Sequence, residues 1–417
     1  MNRISIIALA VLSLAPAARA EEESSTTPAV DVSALEGRVS SIEEQYAETK
    51  STVAGLTRLK WSGYMQARYA YQQCVGNKPT AGCSYTVLQR DSTGKALAGN
   101  PDRDNFFIRR GRIKAVYDAD LAQFVLQLDA TPAGVGVKEA YASVKLPAFA
   151  GVSGAAIDAG LQLFPFGYDV GVRSSADLDL LERYRGAGYY LKGEYDLGVA
   201  LRAARGPVNL RVGVFNGNGV DGGAGRDNDQ LKDLIGRVGF DFGMVTGGVS
   251  GWYGNSRDYH LSPAKTYKRE RVGADVQVYL DLLPIGGTAL KAEYIAGTLG
   301  IGGTSDAGAD PKKWGRAWHA TVTQNLGKTF QLAARYEQFV KDNNIGDAKY
   351  AVKEIDELDV AAHAFIGGNY KLSLLYAHPM NGKKVGTKPT TGTGPALLPA
   401  NDVNKTDQFV VQAQAKF

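Results

Sequence analysis

The chain has 417 residues, of which 47 are Lys or Arg and 43 Asp or Glu, a formal charge of +4, and its mean hydropathy is −0.20. So even a balance gives no footprint for nucleic acid, and after the first 20 residues nothing reaches the ~20 consecutive apolar residues of a helical membrane span. A zinc site needs about four ligands, and His260, His319, His363 and His378 are scattered without ligand spacing, so neither metal nor cofactor is expected.

Residues 1–20 read as a secretory signal peptide: Arg3 gives a positive start, Ile4 to Leu14 an apolar run, and Ala18-Arg19-Ala20 a small-x-small processing site. Its removal takes Arg3 and Arg19 and lowers the charge to +2. An exported chain without a spanning helix still crosses a membrane if its strands close, because only helices and closed barrels satisfy the backbone in lipid. After a polar leader, Val32, Leu35, Val39, Ile42, Tyr46, Thr49, Val53 and Leu56 alternate steps of three and four. Glu43, Glu44, Glu48 and Lys50 fill the other face, with Asp31 or Ser33 available to cap the start. A lone helix of this length is marginal in water. The expectation for 21–58 is therefore a short periplasmic coiled coil joining subunits; the alternative is an amphipathic helix against the barrel mouth, or no fixed structure.

From Leu59 the hydrophobic period becomes two, and sixteen strands are expected, at 59–71, 106–117, 121–130, 137–146, 156–164, 187–195, 208–215, 231–240, 244–253, 269–280, 288–297, 317–326, 329–340, 357–366, 369–378 and 406–417. Long connections, such as 72–105, 165–186 and 379–405, alternate with hairpin-sized ones such as Gly327-Lys328 and Gly367-Gly368. Thr131 to Gly136 is short where a long loop is due. The last strand, Gln408 to Phe417, alternates to a terminal aromatic, where an outer-membrane assembly signal would lie. The fold expected for 59–417 is all-β, a sixteen-stranded antiparallel transmembrane barrel with short periplasmic turns and long outer loops. Cys74 and Cys83 flank a short segment of the first long connection, and an oxidising compartment would let them pair.

The second strand places Phe107, Gly111, Ile113, Ala115 and Tyr117 on one parity and Arg110, Arg112 and Lys114 on the other. A cation facing lipid near the midplane costs about 2–4 kcal/mol, so that column points inward. Arg109 breaks the rule, and snorkelling, a bulge or a subunit contact would accommodate it. On the preceding strand Lys60, Ser62, Tyr64, Gln66 and Arg68 share the inner parity, and on the following one Gln123, Val125, Gln127 and Asp129. Lys192, Arg211, Arg271, Lys291, Arg335 and Lys371 are further inward cations, beside Glu139, Glu194, Asp275, Glu293 and Glu337. Interior salt bridges stiffening the wall are the plain alternative for any one of them. For Arg110, Arg112 and Lys114 only Asp129 on the next strand offers a partner, so these three are expected to stand largely unpaired. The four Trp and 21 Tyr fall mostly near strand ends, as aromatic girdles would.

Trp61-Ser62-Gly63-Tyr64-Met65-Gln66-Ala67-Arg68-Tyr69, Phe106-Phe107-Ile108-Arg109-Arg110-Gly111-Arg112, Lys138-Glu139-Ala140-Tyr141, Phe164-Pro165-Phe166-Gly167 and Val214-Phe215-Asn216-Gly217 resemble the phosphate-selective porin O and P family. The resemblance spans roughly Leu59 to Phe417. It implies a homotrimer of separately conducting barrels in the outer membrane of a Gram-negative bacterium, each narrowed by an inward loop after the fifth strand, here Pro165 to Gly186. That loop sets Arg173, Arg183 and Arg185 against Asp169, Asp177, Asp179 and Glu182, a charge of −1, and no dense lysine cluster accompanies it.

The function expected is passive diffusion of small hydrophilic solutes with a mild anion preference, phosphate among the candidates. The expected pore-lining set is Arg68, Arg110, Arg112, Lys114, Arg173, Arg185, Arg271, Lys291 and Arg335. An enzyme is not expected, since no Gly-x-Ser-x-Gly elbow occurs, and no glycine-rich nucleotide loop follows a strand and opens a helix. Asn216 to Asp229 has oxygen donors but lacks EF-hand spacing and reads as a polar loop. The rival function is a structural or adhesive envelope barrel within a larger complex.

Overall fold

The structure is a computed structural model that describes residues 32–72, 103–191, 193–220, 230–258, 265–298, 314–340, 354–380 and 407–417. The expected signal peptide, Cys74, Cys83 and Lys192 lie outside these residues. The chain divides into two units, Met1–Leu56 and Thr57–Phe417. In the first, helix α1 (Val32–Thr57) covers the heptad segment, with Ile42, Tyr46 and Val53 of its apolar seam 63%, 68% and 52% exposed.

The second unit holds β1 (Leu59–Gln72), β2 (Arg103–Asp118), β3 (Ala122–Thr131), β4 (Gly134–Lys145), β5 (Ser153–Leu163), the short helix α2 (Arg185–Tyr190), β6 (Tyr195–Arg205), β7 (Val208–Phe215), β8 (Asp233–Asp241) and β9 (Val245–Asp258). It continues through β10 (Lys265–Leu283), β11 (Gly286–Thr298), β12 (Trp314–Leu326), β13 (Phe330–Val340), β14 (Glu354–Ile366), β15 (Tyr370–Pro379) and β16 (Gln408–Lys416). Every strand pairs antiparallel with its chain neighbours, and β1 pairs with β16, so sixteen strands close into a barrel without an edge. At the seam the Gly63 N–H donates to the Phe417 carbonyl at 3.1 Å, and the Phe417 N–H donates back at 3.0 Å. Alternation then sorts the side chains. Leu372, Leu374 and Tyr376 of β15 are exposed on the outside, while Ser373, Gln412 and Gln414 are buried within.

Four register shifts interrupt the ladder among the described residues, and the two in the β1–β2 and β3–β4 pairs each turn a cation inward. Gln66 pairs with Arg110 and Ala67 with Ile108, which leaves Arg109 as an extra residue on β2. Gln127 pairs with Glu139 and Leu128 with Val137, which does the same for Lys138 on β4. Beyond the first bulge the parity is reversed: Phe107, expected on the lipid face, lies opposite the inward Arg68. The two-residue turn between β3 and β4 is the short connection anticipated there.

The sixth strand is displaced from its expected position. Residues 187–195 were assigned to it, whereas 185–190 form α2 and β6 begins at Tyr195. The apolar run Tyr189-Tyr190-Leu191 within that span is packed inside, where Tyr190 and Leu191 join Phe164, Phe166, Tyr184, Trp252, Ile295 and Phe339 in one cluster. Trp252 thus belongs to the interior and not to a girdle. The connection from β5 to β6 runs from 164 to 194, longer than the expected 165–186, and folds into the lumen. A second patch fastens its middle: Leu180 and Leu181 against Ala333, Ala361, Leu375 and Val410 of the β13 to β16 wall.

Candidate pore and its constriction loop

Glu182, in the middle of the inward loop, is where the loop meets the cations of the first two strands. Arg68 Nη1 and Arg109 Nε each donate to its Oε1 at 2.6 Å, and Arg110 Nη2 donates to Oε2 at 3.0 Å. Three guanidinium groups on one carboxylate leave a local surplus of positive charge. Burial opposes ionisation of Glu182, but Arg110, Arg109 and Arg68 outweigh it and hold its carboxyl well below the usual carboxylate range.

The expectation that Arg110, Arg112 and Lys114 stand largely unpaired is corrected. Arg110 has Glu182; Arg112 donates to Asp129 at 3.2 Å and to Ser175 and Tyr195; Lys114 donates to Glu139 at 2.5 Å. Glu182 and Ser175 are loop residues and Glu139 lies two strands away, so counting acids on β3 alone missed them.

The remaining predicted positions also meet the loop. Arg173 donates to Asp179 at 2.8 Å and Lys291 of β11 donates to the same carboxylate at 2.8 Å. Arg335 of β13 donates to Asp359 at 2.6 Å and to the Glu182 carbonyl at 2.9 Å. Arg185 reaches Glu357 of β14. Arg271 is buried behind the end of the loop, over the Trp252 ring at 4.2 Å and bonded to the Tyr190 carbonyl. Backbone anchors complete the attachment: Glu293 accepts from the Tyr168 and Asp169 N–H groups at 3.0 and 2.8 Å. Gly167 allows this turn, because its φ is +68° and a Cβ there would lie 2.4 Å from the Glu293 carboxylate.

A cavity of about 740 Å³ is bounded by Arg68, Arg109, Glu182, Arg183, Arg185, Arg335, Glu357 and Asp359 and reaches the β3–β4 turn. Elsewhere on the inner wall lies a feature sequence reasoning missed. Arg202 of β6 is in register with Arg211 of β7, and Arg211 with Arg237 of β8. Like charges directly across strands repel. Asp158 takes Arg202 at 3.2 Å and Arg211 at 3.7 Å, and Asp275 takes Arg237 at 2.7 Å, two acids for three cations. The Arg202 and Arg211 side chains remain 39% and 24% exposed. Displacement of β6 hid Arg202 from the parity argument, while Arg237 sat within an assigned strand and its alternation alone would have found it.

No known family model matches the chain, and no curated protein matches it. Solved structures do. The anion-selective porin from Comamonas acidovorans superposes with a TM-score of 0.54 at 12% identity, over 86% of this chain and 99% of that one. The outer-membrane expressed OmpT of Vibrio cholerae gives 0.52 at 13%, over 86% and 97%. The outer membrane channel DcaP of Acinetobacter baumannii gives 0.53 at 12%, over 86% and 97%. The chain has the porin fold. At these identities the likeness is one of architecture, so the resemblance to the phosphate-selective family stands at the level of the sixteen-stranded barrel.

Proposed function

We propose that this chain is an outer-membrane porin of a Gram-negative bacterium, embedded in outer-membrane lipid as a homotrimer. In this reading it passes small hydrophilic solutes passively, with a mild preference for anions that extends to phosphate. The closed barrel with apolar residues outside and paired polar residues inside supports the channel. The observation that carries the anion preference is the uneven pairing of arginines: Arg68, Arg109 and Arg110 on the single carboxylate of Glu182, and Arg202, Arg211 and Arg237 on Asp158 and Asp275. A wet lumen keeps such attraction weak enough for release, since a unit charge about 8 Å from a passing ion contributes about 0.5 kcal/mol in a water-like dielectric.

The exposed arginines Arg202 and Arg211 are the ones to remove, because substituting buried members of the Glu182 cluster would disturb the loop as well as the charge. In planar bilayers under a salt gradient, the wild-type reversal potential should favour anions. Arg202→Gln/Arg211→Gln should lower the anion-to-cation permeability ratio about two- to fivefold with conductance retained, on the same Coulomb estimate reduced by salt screening over about 8–10 Å. Phosphate added as competitor should reduce chloride current more than a neutral sugar does. A wild type that already favours cations ends the anion reading, and no channel at all moves the assignment to a structural barrel.

A further inference from the structure

Asp169, Glu293 and His319 bring two carboxylates and one imidazole together from three separate elements: the inward loop, β11 and β12. Their nearest donor atoms all lie within 4.8 Å of one another, and all three side chains are buried. His319 is 95% buried, and its Nε2 has no hydrogen-bond partner. That nitrogen faces Asp169 Oδ2 at 4.0 Å, beyond hydrogen-bond range. Its other nitrogen, Nδ1, is 3.1 Å from the Thr321 hydroxyl, which accepts when Nδ1 carries the proton and so leaves the Nε2 lone pair aimed at the carboxylates.

We propose that Asp169, Glu293 and His319 bind a divalent cation of the zinc type that clamps the constriction loop to the barrel wall. Several observations converge on a cation as the missing partner. Two carboxylates, both ionised once the ion is bound, carry with a neutral imidazole a charge of −2 that favours a divalent ion. Arg173 holds Asp169 through Oδ1 and leaves Oδ2 turned to His319. Glu293 accepts three hydrogen bonds, from Tyr168 N, Asp169 N and Tyr184 Oη, which leaves part of its acceptor capacity unused. On the side of the cluster away from Glu293, a cavity of about 10 Å³ borders Asp169, Thr321 and His319, room for about one water-sized occupant beside those two ligands. Arg173 and Arg335 also border it; Arg335 is engaged by Asp359 and Glu337, while Arg173 is shared between Asp169 and Asp179, the second of which also takes Lys291. Ligands on one zinc ion stand about 3–4 Å apart when each bond is about 2.0–2.2 Å, so the widest separation needs to close by about 1–2 Å. The imidazole selects this class of ion over Ca²⁺, which takes oxygen donors.

The test is zinc binding by the purified, folded full-length barrel in detergent, measured by competition with a chromogenic chelator. A His378→Ala background removes the exposed His378–Asp407 pair as a competing site. One zinc ion per chain is expected, with affinity at least tenfold lower in His319→Ala and in Asp169→Asn. Thr321→Val, which removes only the group orienting the imidazole, should weaken binding about 10–100-fold while the barrel keeps its heat-modifiable gel mobility, so the test survives even if the ligand variants misfold. In single-channel records, zinc should quieten open-channel fluctuations of the wild type and leave Thr321→Val unchanged. No binding by the wild type overturns the proposal. Equal affinity with and without His319, for zinc or for Ca²⁺, overturns it as well. None of these readouts depends on the sign of ion selectivity.

Discussion

Glu182 is the residue on which the loop's attachment to the first two strands converges, and its substitution separates charge from packing. The Arg68 and Arg110 side chains are almost fully buried, so Glu182→Gln leaves them without an anion. Stranding a buried charge costs ~3–5 kcal/mol, and the partial exposure of Glu182 puts the expected loss near about 3 kcal/mol. The loop should then detach locally: faster protease nicking between 165 and 194 and noisier single-channel current, with the barrel intact. Acid should mimic the variant only late. Because the folded carboxyl titrates well below its unfolded value, its contribution is complete above the ordinary carboxylate range and disappears only as pH falls through the depressed value. Current noise in the wild type should therefore be unchanged between pH 7 and pH 5 on account of this group, and a rise in that window that Glu182→Gln abolishes would refute the assignment. The inward placement of Arg68, Arg110, Arg112 and Lys114 was legible because a two-residue period fixes it. Arg109 was legible in part, because its break in parity marked the place and a bulge was one of three readings; Lys138 was not, since nothing in the local composition marks where that ladder bulges.

At the scale of elements, closure of β1 on β16 depends on a close approach that a single methyl group would block. A Cβ at Gly63 would stand 2.5 Å from the Arg112 carbonyl oxygen and 2.5 Å from the ring of Phe417. The ring can rotate away; the carbonyl belongs to the β1–β2 ladder and cannot. Gly63→Ala should cost about 1–3 kcal/mol of overpacking strain, seen as a lower temperature for conversion from the folded to the unfolded gel band. Adding Phe417→Ala should recover only part of the loss, and full recovery would show that the ring alone was the obstacle. The strand pattern around this seam was readable from alternation and turn residues. The sixth strand was not, because an aromatic run that packs on an inner wall has the same composition as one that faces lipid. Only Leu197, Val199 and Leu201, exposed alternately along β6, distinguish the true wall segment.

For the molecule as a whole, the barrel satisfies its own backbone by closing, whereas α1 leaves the apolar seam at Ile42, Tyr46 and Val53 exposed in a single chain. Such a seam, at heptad spacing, is stabilised when two or more copies wind together, and a lone helix of this length is marginal. The proposed role of α1 is accordingly to join subunits through a periplasmic coiled coil. The pattern was legible because heptad spacing is local; the number of copies was not, since it depends on how faces of separate chains meet. Deleting Ala29 to Leu56 removes the seam and leaves the second unit, Thr57–Phe417, whole. The truncated protein should insert and conduct with unaltered unit conductance. The proposed trimer should then dissociate at a lower temperature or detergent concentration than that of the full-length form, as read by cross-linking and by mass measurement in detergent. A trimer of undiminished stability would mean that the barrels associate through their walls alone and would make α1 a spacer. Loss of the folded barrel would mean that the first unit is needed for closure, which the seam argument does not allow.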